Sequence, residues 1–147
     1  MRLIRAGLLA VGLVVVTGCG GGDSTGPSSN SMDGTWHMSI TNLSANGVTC
    51  SASDIVMNVH AAGSTFTGTY GGVLACGPTG GQAESSPVAG TIEHGTRNGS
   101  QVAFDLDNTD AHHSGVITGD HMNGTATYRI NFLSGPVVLS GSWAAER

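Results

Sequence analysis

The chain has no lysine, and charged residues of either sign are scarce. Its five Lys or Arg positions are all arginines, and charged side chains make up only 10% of the 147 residues. Arg2 and Arg5 lie at the extreme N-terminus, which leaves Arg97, Arg129 and Arg147 for the rest of the chain. Contacts to phosphates and to anionic lipids depend on clustered cations, so we expect neither nucleic acid binding nor electrostatic adhesion to a membrane.

A helical pattern is missing after residue 20, and so are the usual catalytic signatures. There are 24 glycines, aromatic residues make up 5%, and the remainder is rich in Ser, Thr and Asn, which favours short strands and tight turns. No G-x-S-x-G elbow, H-E-x-x-H helix or phosphate-binding glycine loop occurs, and the six histidines are scattered. The sequence therefore predicts an all-β protein that is not an enzyme and needs no cofactor.

The N-terminus has the pattern of a secretion signal. Arg2 and Arg5 precede an apolar run from Ala6 to Val16, which is shorter than the roughly 20 residues that a membrane-spanning helix needs. The sequence Val16-Thr17-Gly18-Cys19 that follows resembles the bacterial lipobox, whose cysteine is diacylated and becomes the new N-terminus. The resemblance implies a signal peptide over 1–18, lipidation of Cys19 and an exported cell-envelope lipoprotein. It also implies an outer-membrane location in a host that has one, because Gly20 replaces the aspartate of inner-membrane retention.

Residues 19–33 are rich in Gly, Ser and Asn and are interpreted as a flexible tether, which leaves 34–147 as one domain. Within that domain the alternation of apolar and polar residues predicts eight strands, at 35–42, 54–60, 64–70, 87–94, 100–107, 112–118, 121–130 and 137–144. Long connections alternate with tight ones, as in an up-and-down meander. We therefore expect an eight-stranded antiparallel β-barrel, with a two-sheet β-sandwich as the alternative.

Five predicted strands place a glycine between larger, mostly apolar residues on one face, while Thr, Ser and Asn occupy the other face. This parity favours a barrel that is apolar inside and polar outside over a membrane-spanning barrel. Gly34-Thr35-Trp36 resembles the G-x-W signature of lipocalins and avidins, and Phe66-Thr67-Gly68-Thr69-Tyr70 resembles a strand of avidins. The resemblance implies a barrel that binds a small molecule in its open mouth. Biotin itself is not expected, because Met38, Asn42 and Gly72 replace residues that contact it in avidins.

The candidate ligand-binding residues lie on the predicted inner face. Tyr70, Tyr128 and His113 fall at the end with the long connections, and Met57 and Phe104 belong to the apolar lining, so together they predict a site for a small apolar ligand or an envelope component. Ordinary rim residues with wetted polar tips are the competing interpretation. A protein-interaction module and a structural surface lipoprotein without a specific ligand are the alternative functions. In each case we expect a monomer.

Cys50 and Cys76 both fall at the long-connection end of the predicted meander. Because Cys19 is assigned to lipidation and export permits oxidation, the two are expected to form a disulfide, with free thiols or metal ligands as the alternative. The polar segment from Asp105 to His113 is the densest cluster of carboxylates and imidazoles. Its spacing does not match a calcium loop, so it is interpreted as a solvated strand end and not as a metal site.

Overall fold

A computed structural model describes residues 31–107, 110–132 and 135–147 of the protein. The predicted signal peptide, Cys19 and most of the predicted tether lie outside the described residues. The described chain forms eight strands: β1 (Gly34–Ala45), β2 (Val48–Ala62), β3 (Thr65–Pro78), β4 (Glu84–Asn98), β5 (Gln101–Leu106), β6 (Ala111–Thr118), β7 (His121–Phe132) and β8 (Gly135–Glu146). No helix among these residues has the length and hydropathy that a membrane crossing requires.

The strands close into one barrel in which each strand pairs antiparallel with the next along the chain. The closing contact joins β8 to β1, where Ile40 is opposite Trp143. Closure gives every strand a hydrogen-bonded neighbour on both sides. The predicted all-β, up-and-down, eight-stranded barrel is confirmed, and the sandwich alternative is excluded.

The predicted long connection between the first two strands is wrong. β1 and β2 continue to a tight turn at Asn46 and Gly47, where both residues have positive φ, of 49° and 78°. Register shifts interrupt the pairing of β1 with β2 between Met38 and Leu43. Such irregularities break the strict alternation of side chains between faces. The alternation of apolar and polar residues in the sequence was therefore lost before β1 and β2 reached the turn.

The wall of the barrel has unequal height. β5 and β6 contain 6 and 8 residues, whereas the other strands contain 12 to 15. The end of β5, Leu106, pairs with Ile92, so the first part of β4 extends beyond it. On the other side the first residue of β6, Ala111, pairs with Tyr128, and β7 continues to Phe132. We call this low side of the mouth, formed by β5 and β6, the notch.

The middle of the barrel is packed with rings. Phe104 stacks on His113 with their centroids 4.6 Å apart and their planes within 2°. Trp143 and Phe66 meet Phe104 in edge-to-face geometry, with centroid distances of 5.3 and 5.9 Å. Trp143 donates its indole N–H to the carbonyl of Ser114, at 3.2 Å, and to that of Thr125, at 3.1 Å. The interior is thus a core of rings whose polar tips are mostly paired.

The inward-facing glycines bring neighbouring strands close together. Gly115 and Gly124 face each other across β6 and β7, and a Cβ on Gly124 would collide with the carbonyl oxygen of Ser114. The space beside these glycines is therefore filled by backbone from the adjacent strand. Their role is to let the strands coil tightly, as expected for a small barrel.

The end opposite the mouth, which we call the base, is sealed by residues that the sequence assigned to the tether. Met32 is 2% exposed and belongs to the core, and its carbonyl accepts the indole N–H of Trp36 at 3.0 Å. The Arg147 guanidinium lies 4.8 Å from the centroid of the Trp36 ring and donates to the carbonyls of Ser31 and Asp33. The packed domain thus includes residues 31–33, because the Met32 side chain is buried in the core.

Candidate ligand site at the barrel mouth

The notch opens onto a depression of about 640 Å³, which we call the mouth depression. Its floor is formed by Leu106, Ala111 and Tyr128, which face inward and are nearly fully buried. Leu74 of β3 and Ile130 of β7 rise on either side, because their strands extend beyond β5 and β6. The volume lies within the range of small-molecule sites, and the apolar floor is typical of them.

Polar side chains surround this apolar floor where the wall is low. Most of them sit on outward-facing positions beside the notch: Glu93, His94, Asp105, Asp107, Asp110, His112, Arg129 and Asn131. The depression therefore runs from the inner face of the barrel over the low wall to a charged outer rim. A bound molecule would contact apolar and charged groups at the same time.

Asp105 makes two side-chain hydrogen bonds within this rim. Its two carboxylate oxygens bind the Nδ1 atoms of His94, at 2.9 Å, and of His112, at 2.6 Å. Partial burial alone would raise the pKa of Asp105, but the hydrogen bonds from His112 and His94 outweigh it and hold the pKa below its ordinary value. His94 has a φ of 50° at an irregularity of the β4–β5 pairing, which turns its side chain towards Asp105.

Two further carboxylates fix the backbone around the notch. Asp107 accepts the backbone N–H of Thr91 at 2.5 Å, which ties the end of β5 to β4. Asp110 has a φ of 43°, its carbonyl accepts the backbone N–H of Arg129 at 3.1 Å, and its carboxylate lies 3.4 Å from the Arg129 guanidinium. These contacts fix Asp107 and Asp110 next to the floor.

Below the floor lies a chain of polar groups inside the barrel. The Tyr128 hydroxyl is 3.2 Å from Nε2 of His113, and the Tyr70 hydroxyl donates to the carbonyl of Asp107. Burial raises the pKa of Tyr128, with a further contribution from Tyr70, so the Tyr128 hydroxyl stays protonated at neutral pH. Burial lowers the pKa of His113 to about 3, so its ring is neutral. Its Nδ1 atom has no hydrogen-bond partner in the described part of the chain.

The structure places the five predicted ligand residues at two levels. Tyr128 lines the mouth depression, whereas Tyr70, His113, Phe104 and Met57 lie around or beneath it in the packed core, each at most 4% exposed. The rings of Phe104 and His113 stack on each other in the middle of the barrel and are part of its packed interior. Ligand contact by these residues stays a prediction, and only Tyr128 borders the depression.

Sequence reasoning missed most of the groups that form the depression. Leu74 fell in a segment interpreted as a long connection, although β3 continues through it with the same inward parity as Tyr70. Asp105, Asp107, Asp110 and His112 were recognised only as members of a polar cluster, and Glu93 and His94 of β4 were not singled out. The described residues contain no group of three or more His, Cys, Asp or Glu placed to hold a metal ion.

The predicted disulfide between Cys50 and Cys76 is confirmed. The two residues are directly opposite on β2 and β3, with Cα atoms 4.1 Å apart, so they lie in strands and not in loops. Cys50 is buried and Cys76 packs against the core. The disulfide therefore links β2 to β3 near the mouth, two residues from Leu74.

A second depression, of about 490 Å³, crosses the outer face of β1, β7 and β8. His37, His121 and Glu146 lie along it as exposed side chains, and His121 is 4.0 Å from Glu146. The side chains that border it are mainly exposed and polar, and the buried Met122 and Ala145 also line it. The mouth depression is the stronger candidate because apolar and charged groups converge there.

The fold and the site define a closed, eight-stranded antiparallel β-barrel with a packed interior and an amphipathic depression at one side of its mouth. Comparison of the chain with protein-family models, with curated proteins and with solved structures found no match.

Proposed function

We propose that this protein is an exported, lipid-anchored barrel of the cell envelope that binds a small apolar or amphipathic molecule at its mouth and carries out no catalysis. The observation that carries the proposal is the mouth depression, in which the partly buried side chains of Leu74 and Ile130 stand beside a buried floor of Leu106, Ala111 and Tyr128. Most apolar side chains in the barrel are covered by other side chains. At the notch, Leu74 and Ile130 are only partly buried, so their side chains could contact a ligand.

The position of the chain entry supports the proposed anchoring. Residues 31–33 pack at the base, where Asp33 accepts the backbone N–H of Ala61 at 2.8 Å. A lipid on Cys19 would hold that end towards the bilayer and leave the mouth facing away from it. An envelope ligand could then reach the depression without passing between the barrel and the membrane.

The anchor is tested by replacing its cysteine. A Cys19→Ser chain, expressed in a host that lipidates such proteins, should appear in the soluble fraction after lysis, whereas the unaltered chain should sediment with membranes. Cys50→Ser serves as a control because the Cys50 sulfur forms the disulfide within the barrel and is not the proposed lipidation site. Sedimentation of the Cys19→Ser chain with membranes would contradict anchoring through this residue.

Ligand binding is tested by filling the depression. Leu74 and Val73 are neighbours on β3, but Leu74 borders the depression while Val73 faces outward and is 50% exposed. In the Cys19→Ser chain, fluorescence of the neutral probe N-phenyl-1-naphthylamine should rise and saturate. Leu74→Trp should weaken probe binding at least about tenfold, since a bulkier ring occupies the volume and about 1.4 kcal/mol is lost. Val73→Trp should leave it unchanged.

A protein-interaction module is the second candidate, and the packed interior favours it. Phe104, His113 and Trp143 leave little space for a deeply enclosed ligand. In that case the tall β3 and β4 strands would present a contact surface instead of enclosing a small molecule. Absence of saturable probe binding in the unaltered barrel would move the assignment to this second function.

A further inference from the structure

Negative charge is concentrated around the mouth depression. Four carboxylates lie on its rim, those of Glu93, Asp105, Asp107 and Asp110, and Arg129 is the one guanidinium among the described residues that line it. With histidines neutral, the formal charge of this lining is −3. The packed domain has the same bias, because nine carboxylates face three arginines between residues 31 and 147 and lysine is absent. Clefts lined by one sign of charge concentrate ligands of the opposite sign.

Two of the four carboxylates already have strong partners within the fold. Both oxygens of Asp105 are bound by imidazoles, those of His94 and His112. Asp107 accepts the backbone N–H of Thr91. These two residues shape the rim, and we do not assign them to the ligand.

Glu93 and Asp110 have weaker partners and are exposed. Glu93 is contacted by the hydroxyl of Thr91 at 3.4 Å, and Asp110 contacts Arg129 at 3.4 Å with its side chain 57% exposed. Asp110 also directly precedes Ala111, a residue of the apolar floor. An exposed carboxylate, which lies 3.4 Å from the Arg129 guanidinium and 4.0 Å from His112 Nε2, thus stands one residue from the apolar floor.

We propose that the ligand of the mouth depression is an amphiphile with a positively charged amine head, whose apolar tail lies over the floor and whose head binds Asp110 and Glu93. This inference rests on the proposed function and adds the chemical class of the ligand. A fatty acid or alkyl sulfate would place its anionic head beside the same two carboxylates, and adjacent like charges repel. A neutral amphiphile would gain the apolar contacts alone.

The inference is tested with three probes that share one tail: decylammonium, decyl glucoside and decyl sulfate, each below its micelle concentration. Isothermal titration calorimetry on the Cys19→Ser chain at low ionic strength should show decylammonium binding about tenfold more tightly than decyl sulfate, with decyl glucoside between them. Added salt should reduce this preference, because the carboxylates are exposed and screened.

Charge-removing variants locate the preference. Glu93→Gln with Asp110→Asn should weaken decylammonium binding about five- to tenfold and leave decyl glucoside unchanged. Asp54→Asn, which removes an exposed carboxylate that does not line the depression, should change neither affinity. The single variant Glu93→Gln gives the same comparison with a smaller effect if the double variant is poorly folded.

The outcomes separate the two proposals. Equal affinity for all three heads, or tighter binding of decyl sulfate, would overturn the amine-headed ligand while leaving ligand binding at the mouth intact. Failure of every probe to bind the unaltered barrel would overturn both proposals. A head-group preference that survives in the double variant would show that other residues recognise the charge and would overturn the assignment to Asp110 and Glu93.

Discussion

Acid should destabilise this barrel through the buried ring of His113. The ring is 2% exposed, and its pKa in the folded protein is about 3, compared with 6.5 for an ordinary histidine. Between these pH values the unfolded chain binds a proton that the folded chain does not, so stability falls as the pH drops below 6.5. Each pH unit within this window costs about 1.4 kcal/mol, which gives about 2–3 kcal/mol at pH 4.5.

The assay is urea unfolding of the Cys19→Ser chain at pH 7.5 and pH 4.5, compared with the same chain carrying His113→Phe. The phenyl ring preserves the stacking on Phe104 but cannot titrate. The unaltered chain should lose about 2–3 kcal/mol more between the two pH values than the variant. Asp105 and Asp33 also have pKa values below the ordinary 3.8, but their contribution is lost mainly below pH 4, so pH 4.5 isolates the histidine.

Two further variants make this test decisive. His113→Gln provides a second non-titrating side chain if the phenylalanine leaves the Tyr128 hydroxyl without a partner and lowers stability too far to measure. His112→Gln is the matched control, because His112 is the neighbouring residue on the outer face and should preserve most of the pH dependence. Equal losses of stability in the unaltered and His113→Phe chains would refute the reasoning.

Three other changes should alter stability by amounts that urea unfolding can measure. Replacing Cys50 and Cys76 with serine should cost about 3–4 kcal/mol, the loop-closure value for the 26-residue separation, and adding a reductant to the unaltered chain should give a similar loss; no change on reduction would contradict this. Gly124→Ala should cost about 1–3 kcal/mol or more, since its Cβ meets backbone of the facing strand, and unchanged stability would show that the strands can separate. Arg147→Ala should cost about 1–3 kcal/mol, because this side chain is 14% exposed and donates hydrogen bonds to backbone carbonyls at the base. Arg129→Ala should cost under about 1 kcal/mol, because that side chain is 57% exposed. Equal costs would contradict a sealing role for Arg147.

Strand number and order could be predicted because side chains in a strand alternate between two faces. In β7, Met122, Ala126 and Tyr128 face the core while Asn123 and Thr125 face solvent, as the sequence pattern indicates. The same rule failed where the pairing register shifts, since one extra residue inverts the pattern beyond it. That is why the extensions of β1 and β2 towards the mouth were interpreted as loops.

The candidate site could be predicted only in part. Tyr128 was identified from its inward parity near one end of the barrel, and it does border the depression. Leu74 and Ile130 become important only because β3 and β7 are taller than β5 and β6. Relative strand height depends on pairing between segments distant in sequence, and no local pattern encodes it.

By itself the sequence determined that this protein is all-β, has eight strands and has an apolar interior, because period-two alternation and turn residues are local properties. It also identified the two cysteines that pair. Only the tertiary structure decided that the interior is filled, since that depends on how the rings of Phe104, His113 and Trp143 pack against each other. It likewise decided that the mouth depression lies at the notch, because the short strands β5 and β6 are neighbours of the taller β4 and β7 around the closed barrel.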